Sequence, residues 1–170
     1  MEIIAEIGQN HNGDMDLAKE LIKLAKYSGA DVAKFQLFCA KSLFQKEGNP
    51  WYEYNLKTEL SKKNVEMLIE YSDKIGIEFM ASVFDEERLS WLEDFDVRRY
   101  KIASRSINDK KLIDAVLKTT KPVIISLGHW GKNEFPDFIG NILGYLYCIS
   151  KYPTPLEDIN FSNIDFSRYL

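Results

Sequence analysis

The sequence has 170 residues, of which 45% are hydrophobic and 28% are charged, and its formal net charge at pH 7 is −4. A chain of this length forms one domain and buries roughly 70% of its unfolded surface, enough for a core without disulfide or metal staples. The composition excludes disordered and fibrous proteins, and the acidic balance argues against a nucleic-acid partner. Because no apolar run approaches the ~20 residues that span a bilayer, we expect a soluble, cytoplasmic protein without a membrane partner.

Short β-rich runs alternate with amphipathic helical patterns from the N-terminus onward. The first predicted strand, residues 3–7, precedes a helix whose N-cap is Asp14 or Asp16. The apolar stripe of this helix, at spacing i, i+4 and i+7, is Leu17, Leu21 and Leu24. A second strand covers residues 32–38. Strands that alternate with helices in this way predict βαβ units and a parallel sheet.

A long connection, residues 39–60, follows the second strand. Loops of this length in compact domains carry a function or a short helix of their own. The connection is either anchored by packing or closes over a substrate through its aromatic residues, Trp51, Tyr52 and Tyr54. Ser61 is the predicted N-cap of the next helix, which ends at Gly76.

Four further strands are predicted after that helix, at residues 77–82, 99–103, 123–127 and 145–149. Asn108 is the expected N-cap of the helix between the second and third of these. The stretch 128–142 is poorly periodic and contains Pro136, so it gives only weak evidence for a helix. No strand is followed by GxGxxG or GxxxxGK[ST], so an open nucleotide-binding sheet would lack its phosphate loop. The pattern is consistent with two architectures, an open doubly wound sheet and a (β/α)8 barrel. Because only six strands are predicted, a barrel would be incomplete.

Polar residues stand at or near the C-terminal end of every predicted strand. Such ends gather on one side of a parallel sheet, where α/β enzymes build their sites. Lys34 and Gln36 alternate with apolar neighbours in one strand and therefore share a face. The candidate site residues are Glu6, Asn10, Lys34, Gln36, Ser82, Lys101, Ser104, Ser126, Ser150 and Tyr152.

Lys34 and Lys101 are the sharpest of these signals, because an unpaired ammonium is costly to bury in an apolar strand. Each lysine either pairs with a carboxylate, such as Glu6 or Asp31, or faces a cavity that takes an anion. Two cations with several hydroxyls favour a ligand that carries both a phosphate and a carboxylate. A Schiff-base aldolase, which needs one desolvated lysine, is the alternative use of such a site.

The cysteines and histidines give weaker signals. Cys39 and Cys148 each follow an apolar run, outside any CxxC or Cys/His cluster, so both are interpreted as small buried hydrophobes. His11 lies in a tight strand-to-helix loop, where a hydrogen-bonding role is expected. His129 either lines the site or lies at the surface.

Four motifs occur in order along the whole chain: IAEIGQNHNG at residues 4–13, GADVAKFQ at 29–36, YKIAS at 100–104 and YPTP at 152–155. With these motifs at corresponding strand ends, the sequence resembles the N-acetylneuraminate (sialic acid) synthase family, which includes the legionaminic and pseudaminic acid synthases. The resemblance implies an α/β fold, the (β/α)8 TIM barrel of sialic acid synthase type. Residues 1–170 would supply about six of its eight βα units.

The resemblance also implies an activity, that of a C–C bond-forming transferase. Phosphoenolpyruvate condenses with an N-acylated mannosamine-type sugar, an N-acylhexosamine, to give a nine-carbon α-keto acid and phosphate. The enolpyruvate carbon attacks the sugar aldehyde, which a divalent metal (Mn²⁺ or Mg²⁺) polarises. Water then adds to the former enol carbon.

The matching motifs carry the family's site residues onto this sequence. The residues that would hold phosphoenolpyruvate are Lys34, Ser82, Lys101, Ser104 and Ser150. Tyr152 would lie against the acceptor sugar, and Gln36 would line the pocket. The expected catalytic residues are Glu6, Lys34 and Lys101, and the further substrate contacts are Ser126 and Asn10.

The sequence also departs from the family pattern. Arg105 and Ser106 stand where the family usually has Gly-Glu, and Arg105 either adds a cation for phosphate or points to solvent. The family's metal-binding histidines lie on strands seven and eight, and an antifreeze-like domain follows them. Residues 1–170 include neither, so we expect a barrel truncated after strand six and no complete metal site. The sequence does not decide whether the chain forms a homodimer. The alternative function is that of a non-catalytic fragment that binds a ligand or a partner.

Overall fold

The computed structural model of the protein describes residues 1–132, 134–162, 164, 167 and 169. In chain order, their strands are β1 (Ile4–Gly8), β2 (Val32–Leu37), β3 (Glu78–Val83), β4 (Tyr100–Ile102), β5 (Val123–Ser126) and β6 (Ile142–Leu146). The helices are α1 (Met15–Tyr27), α2 (Ala40–Leu43), α3 (Tyr52–Thr58), α4 (Lys62–Ile75), α5 (Glu86–Asp94) and α6 (Lys110–Lys118), with 3-10 turns at Ser104–Ser106 and Leu156–Asp158. The chain divides into two compact units, residues 1–97 and 98–170.

In the first unit, β1, β2 and β3 are parallel neighbours in chain order. The apolar residues of the central strand are fully buried: Val32, Ala33, Phe35 and Leu37. Helices α1 and α4 pack on each other and on the sheet, so the predicted βαβ organisation is confirmed. No helix within the described residues is long and apolar enough to cross a membrane.

The predicted starts of α1 and α4 are confirmed. The carboxylate of Asp14 accepts hydrogen bonds from two N–H groups in the first turn of α1. Ser61 and Asn64 form a reciprocal capping box at the start of α4, and Gly76 follows that helix with a left-handed φ of 72°. The long connection 39–60 contains α2 and α3, so it carries short helices of its own, as its length predicts.

The buried face of α1 is offset by one residue from the predicted stripe. Leu17 is 37% exposed and Leu24 is 59% exposed, whereas the buried residues are Ala18, Ile22 and Ala25. Both sets have the spacing i, i+4 and i+7, so periodicity alone does not choose between them. The alanines are small, which lets the helix pack closely on α4 and the strands and makes their face the buried one.

In the second unit, β4, β5 and β6 are likewise parallel neighbours in chain order. The apolar face of α6 consists of Leu112, Ile113 and Val116. The predicted N-cap Asn108 is wrong, because the carboxylate of Asp109 accepts the hydrogen bond from the first turn of this helix. A carboxylate interacts more favourably than a neutral amide with the positive end of the helix dipole.

The sixth strand begins before the predicted range 145–149. Strand β6 follows β5 up to the register pair Ser126–Leu146 and stops there, because β5 itself ends at Ser126. Three residues of interest therefore lie beyond the C-terminal end of β6: Cys148, Ser150 and Tyr152. No helix occurs between β5 and β6 in residues 128–132 and 134–141, the described part of that connection.

Candidate functional site

Lys34 and Glu6 form an ion pair across the β1–β2 ladder of the first unit. They are register partners on adjacent parallel strands, so their side chains leave the same face of the sheet. Lys34 is 6% exposed, and its Nζ donates a hydrogen bond to Glu6 Oε2. Glu6 is therefore the carboxylate that pairs with this lysine, whereas Asp31 accepts a hydrogen bond from the Ile3 N–H.

Gln36 and Ser82 lie on the same face, next along the strands. They are register partners on β2 and β3, and Ser82 is buried. Gly8 borders this set with a left-handed φ of 55°, and a Cβ atom there would lie 3.3 Å from both Glu6 Oε1 and Gln36 Nε2. The missing side chain leaves room between the carboxylate and the amide. One face of the first unit thus carries four of the predicted site residues: Glu6, Lys34, Gln36 and Ser82.

Helix α3 holds the loop that follows β1. Gln9 Nε2 donates to Asn55 Oδ1 at 2.9 Å and to Thr58 Oγ1 at 2.6 Å, and both α3 residues are buried. The hydroxyl of Tyr54 donates to Gln9 O at 2.9 Å, so this aromatic residue anchors the long connection. Asn10 is exposed in the same loop.

Asn55 and Thr58 have an anchoring role that is not among the predictions from the sequence. They lie at i and i+3, and residues at this spacing share one face of a helix. This spacing of two polar residues within the long connection is the signal that indicates a buried polar contact.

His11 stabilises the loop after β1 from within. Its side chain is buried, and Nδ1 accepts a hydrogen bond from the Gly13 N–H at 3.1 Å. Burial lowers the pKa of His11 from its ordinary value of 6.5, because the charged imidazolium loses hydration. The predicted hydrogen-bonding role in the loop is confirmed, and the neutral ring carries its proton on Nε2.

Lys101 and Ser126 occupy one face of the sheet in the second unit. Lys101 is the register partner of Ile124, and Ser126 lies two residues further along β5, so the three side chains leave the same face. Lys101 is 9% exposed and Ser126 is 4% exposed. A lysine and a hydroxyl are therefore buried on adjacent strands, as the sequence pattern indicates.

Ser104, Cys148 and Ser150 converge on Gly128, which lies just beyond β5. The Gly128 N–H donates to Ser104 Oγ at 2.9 Å and to Cys148 Sγ at 3.1 Å, and these two acceptors are 2.9 Å apart. A Cβ atom at Gly128 would overlap Ser150 Oγ and would lie 2.6 Å from Ser104 Oγ. We call these four residues the Gly128 cluster. The cluster places two predicted hydroxyls and a thiol at the C-terminal edge of this unit.

The interpretation of the two cysteines as buried hydrophobes is wrong. Cys148 is partly exposed and accepts a hydrogen bond within the Gly128 cluster. Cys39 is also partly exposed, and its Sγ accepts from the Ser42 hydroxyl at 3.3 Å. The signal that could have identified Cys148 is its position, because it follows the sixth strand at the edge where the other polar candidates gather.

The remaining residues of interest in the second unit differ in exposure. Tyr152 is 97% exposed. His129 and Arg105 are exposed as well, which fits either alternative for each. Ser106, at the position where the family usually has glutamate, is buried.

The described residues contain no group of three or more His, Cys, Asp or Glu side chains that could hold a metal ion. The divalent metal stays an expectation from the resemblance, and no step proposed below is routed through it.

Comparison with known proteins identifies the family. The profile of the NeuB family matches residues 21–168. The protein MJ1065 of Methanocaldococcus jannaschii is 40% identical over 169 residues, which cover 95% of this chain and 50% of that protein. N,N'-diacetyllegionaminic acid synthase of Legionella pneumophila is 36% identical over 182 residues, which cover 93% of this chain and 51% of that enzyme. The chain thus spans about half the length of the curated relatives it matches.

The fold matches as well. The crystal structure of N-acetylneuraminic acid (sialic acid) synthetase from Leptospira borgpetersenii serovar Hardjo-bovis, in complex with citrate, superimposes with a TM-score of 0.82 and 31% identity. The match covers 93% of this chain and 57% of that one. The predicted fold class, the α/β barrel of sialic acid synthase type in incomplete form, is confirmed. The chain belongs to the NeuB family, with relatives that are named sialic, legionaminic and pseudaminic acid synthases.

Proposed function

We propose that the chain belongs to a sugar-acid synthase and supplies groups that bind phosphoenolpyruvate for condensation with an N-acylated mannosamine-type sugar. Family membership supports the reaction class, because the matched relatives are named as synthases of sialic-type acids. The observation that carries the proposal is the burial of Lys34 and Lys101 in parallel strands. Each lysine shares its face of the sheet with a buried hydroxyl, Ser82 or Ser126, and a cation with hydroxyl donors beside it suits an anionic ligand.

The first unit offers a cation, an amide and a hydroxyl on one face, from Lys34, Gln36 and Ser82. A phosphate or carboxylate oxygen accepts hydrogen bonds from all three kinds of group, and the charge-assisted bond from the ammonium is the strongest. We assign Lys34 and Ser82 to phosphoenolpyruvate and Gln36 to the pocket wall. Gly8 supports this assignment, because its lack of a side chain leaves space beside Glu6 and Gln36.

The second unit offers Lys101 with hydroxyl groups at neighbouring strand ends. We assign Lys101, Ser104 and Ser150 to phosphoenolpyruvate, and Ser126 as a further contact. The hydrogen bonds of the Gly128 cluster hold Ser104 in place before a ligand arrives, which lowers the entropy lost on binding. Asn10 and Tyr152 are exposed, and we propose both as contacts of the incoming substrate.

The proposed reaction joins C3 of phosphoenolpyruvate to the aldehyde carbon of the sugar, whose oxygen receives the electron pair and a proton. Water adds to C2 and loses a proton, and phosphate leaves as the C2–O bond breaks and the keto group forms. Fixed cations stabilise the charge on the phosphate and the carboxylate, and we give this role to Lys34 and Lys101. We assign Glu6, the carboxylate on the same face as Lys34, as the group that accepts the proton lost by the water.

The geometry favours anion binding over a Schiff-base aldolase. A Schiff-base lysine must present a free, neutral amine to a carbonyl group. Lys34 instead donates to Glu6 in an ion pair. The hydroxyls of Ser82 and of the Gly128 cluster are additional donors that suit a phosphate.

Phosphate release from phosphoenolpyruvate tests this function, with Mn²⁺ and N-acetylmannosamine added to the chain. We expect release that requires the sugar and falls about 100-fold or more in K34Q and K101Q. The matched control is K110Q, because the Lys110 side chain is 85% exposed and pairs only with Asp114 along its own helix in the contacts described. A non-catalytic fragment would release no phosphate but would still be stabilised by phosphoenolpyruvate. The absence of both phosphate release and stabilisation by phosphoenolpyruvate would overturn the proposal. Trapping of pyruvate on a lysine by borohydride would establish the aldolase instead.

A further inference from the structure

The Gly128 cluster contains a thiol that the proposed function does not use. The thiol belongs to Cys148, whose Sγ lies 2.9 Å from Ser104 Oγ and 3.1 Å from the Gly128 N. Ser104 is one of the residues assigned to phosphoenolpyruvate. A residue in this position acts on the ligand through the serine that it contacts.

The hydrogen bonds of the cluster fix the rotamer of Ser104. Its Oγ accepts from the Gly128 N–H at 2.9 Å and contacts the thiol of Cys148 at the same time. If the hydroxyl rotated about χ1, it would lose both partners. Cys148 in turn accepts from the same N–H, so the two side chains share one backbone donor and hold each other against it.

The steric environment of Gly128 is an independent observation that leads to the same point. A Cβ atom would lie 2.6 Å from Ser104 Oγ and 2.8 Å from Cys148 Sγ, and it would overlap Ser150 Oγ. The φ of Gly128 lies outside the left-handed region, so backbone strain is not the reason for a glycine here. Glycine is needed here because three side chains close around it.

From these contacts we propose that Cys148 is a positioning residue for phosphoenolpyruvate. Its thiol holds Ser104 against Gly128 and thereby keeps the Ser104 and Ser150 hydroxyls together at the edge where the ligand binds. This inference rests on the proposed function and extends it to a residue that touches the serine rather than the reacting atoms. Two consequences follow: loss of the thiol weakens the affinity for phosphoenolpyruvate, and bound phosphoenolpyruvate shields the thiol.

The chain provides its own control for both consequences. Cys148 is partly exposed and lines a cavity of about 170 Å³ with Trp130 and Tyr147, so a small reagent can reach it. Cys39 is partly exposed as well, but it belongs to the first unit and contacts Ser42. The two thiols therefore differ in their surroundings while both remain accessible.

Calorimetric titration of phosphoenolpyruvate into the native chain, C148A, C148S and C39A tests the positioning role. We expect C148A to bind about fivefold to tenfold more weakly, and C148S to bind within about twofold of the native chain because a hydroxyl also accepts from the Gly128 N–H. C39A should bind like the native chain, and thermal unfolding of each free variant shows whether it is folded. Equal binding by C148A would overturn the positioning role and leave the proposed function standing. Failure of the native chain to bind would overturn both.

Alkylation rates give a second readout that a purely structural thiol would not change. Iodoacetamide labelling of the native chain is followed by peptide mass spectrometry, with and without phosphoenolpyruvate at ten times its dissociation constant. Mass action predicts that labelling of Cys148 slows about tenfold, while labelling of Cys39 stays the same. Unchanged labelling of Cys148 with bound phosphoenolpyruvate would contradict the inference.

Discussion

The side chain of Lys34 is 8% exposed, whereas that of Glu6, its partner on the neighbouring strand, is 48% exposed. The ammonium is thus withdrawn from water while its counter-ion remains half in water. A buried ammonium without a partner is costly, so Glu6 stabilises the strand pair. The ion pair therefore lies at a face of the sheet that solvent reaches on the Glu6 side.

The ion pair should be visible in equilibrium unfolding. We expect E6Q to lower the free energy of unfolding by about 1–2 kcal/mol, because Lys34 keeps its charge without its counter-ion. The loss is smaller than for a fully buried pair because Glu6 is half exposed. In the double variant E6Q/K34M the buried charge is gone, so most of the loss should be recovered in urea unfolding. Additive losses from the two changes would contradict the pairing.

His11 should make stability depend on pH. Burial lowers its pKa in the folded chain, so below about pH 6.5 the unfolded chain binds a proton that the folded chain does not. The free energy of unfolding therefore falls as the pH drops from about 6.5 toward the folded pKa, and the contribution is constant at higher pH. In H11N the amide oxygen can still accept from the Gly13 N–H, and the slope below about pH 6.5 should be shallower. Equal slopes for both proteins would show that His11 does not titrate differently on folding.

The hydroxyl of Thr58 should contribute to stability through the loop after β1. It accepts from Gln9 at 2.6 Å and donates to Tyr54 O at 2.9 Å, and valine has nearly the same shape without these bonds. We expect T58V to lose about 1–2 kcal/mol of unfolding free energy, since two part-buried hydrogen bonds are lost. The matched control is T154V, because Thr154 is exposed and bonds only to nearby Lys151 O in the contacts described, with an expected loss under about 0.5 kcal/mol. Equal losses would mean that the loop does not depend on α3.

Gly8 and Gly48 form a matched pair for testing whether the ligand binds at the face of the first unit that carries Lys34 and Gln36. Both have a left-handed φ, 55° and 70°, so alanine at either position costs about 1 kcal/mol of backbone strain. At Gly8 the new Cβ also meets Glu6 and Gln36, whereas none of the described residues comes within 4 Å of a Cβ at Gly48. We expect similar melting temperatures for the two variants, but about tenfold weaker binding of phosphoenolpyruvate in G8A alone. The same affinity in both variants would place the ligand away from Gly8.

Much of the fold can be predicted from the sequence because buried parallel strands are short apolar runs with capped helices between them. Asp14, Ser61 and Gly76 mark helix ends through local hydrogen bonds, so they are readable without tertiary information. The end of β6, in contrast, is not determined by the local sequence. It is set by the end of β5 at Ser126, whereas the apolar run in the sequence continues beyond it.

Only part of the candidate site can be predicted from the sequence, because some of its contacts join segments that are distant along the chain. Lys34 and Lys101 stand out because charges interrupt apolar strands, and Ser104 and Ser150 because they follow strands. The role of Cys148 depends on a hydrogen bond from Gly128, which lies on a different connection. No pattern along the chain encodes that contact, and only the folded backbone brings the two residues together.

Calorimetric titration of phosphoenolpyruvate into the native chain, K34Q, K101Q and K110Q measures whether the buried lysines serve an anionic ligand. In the proposed site each buried lysine donates a charge-assisted hydrogen bond to the ligand, so we expect K34Q and K101Q each to bind about 10-fold to 100-fold more weakly than the native chain. K110Q, which removes an exposed surface charge, should bind like the native chain. Equal affinity in all four proteins, or no binding by the native chain, would show that the buried lysines do not serve this ligand.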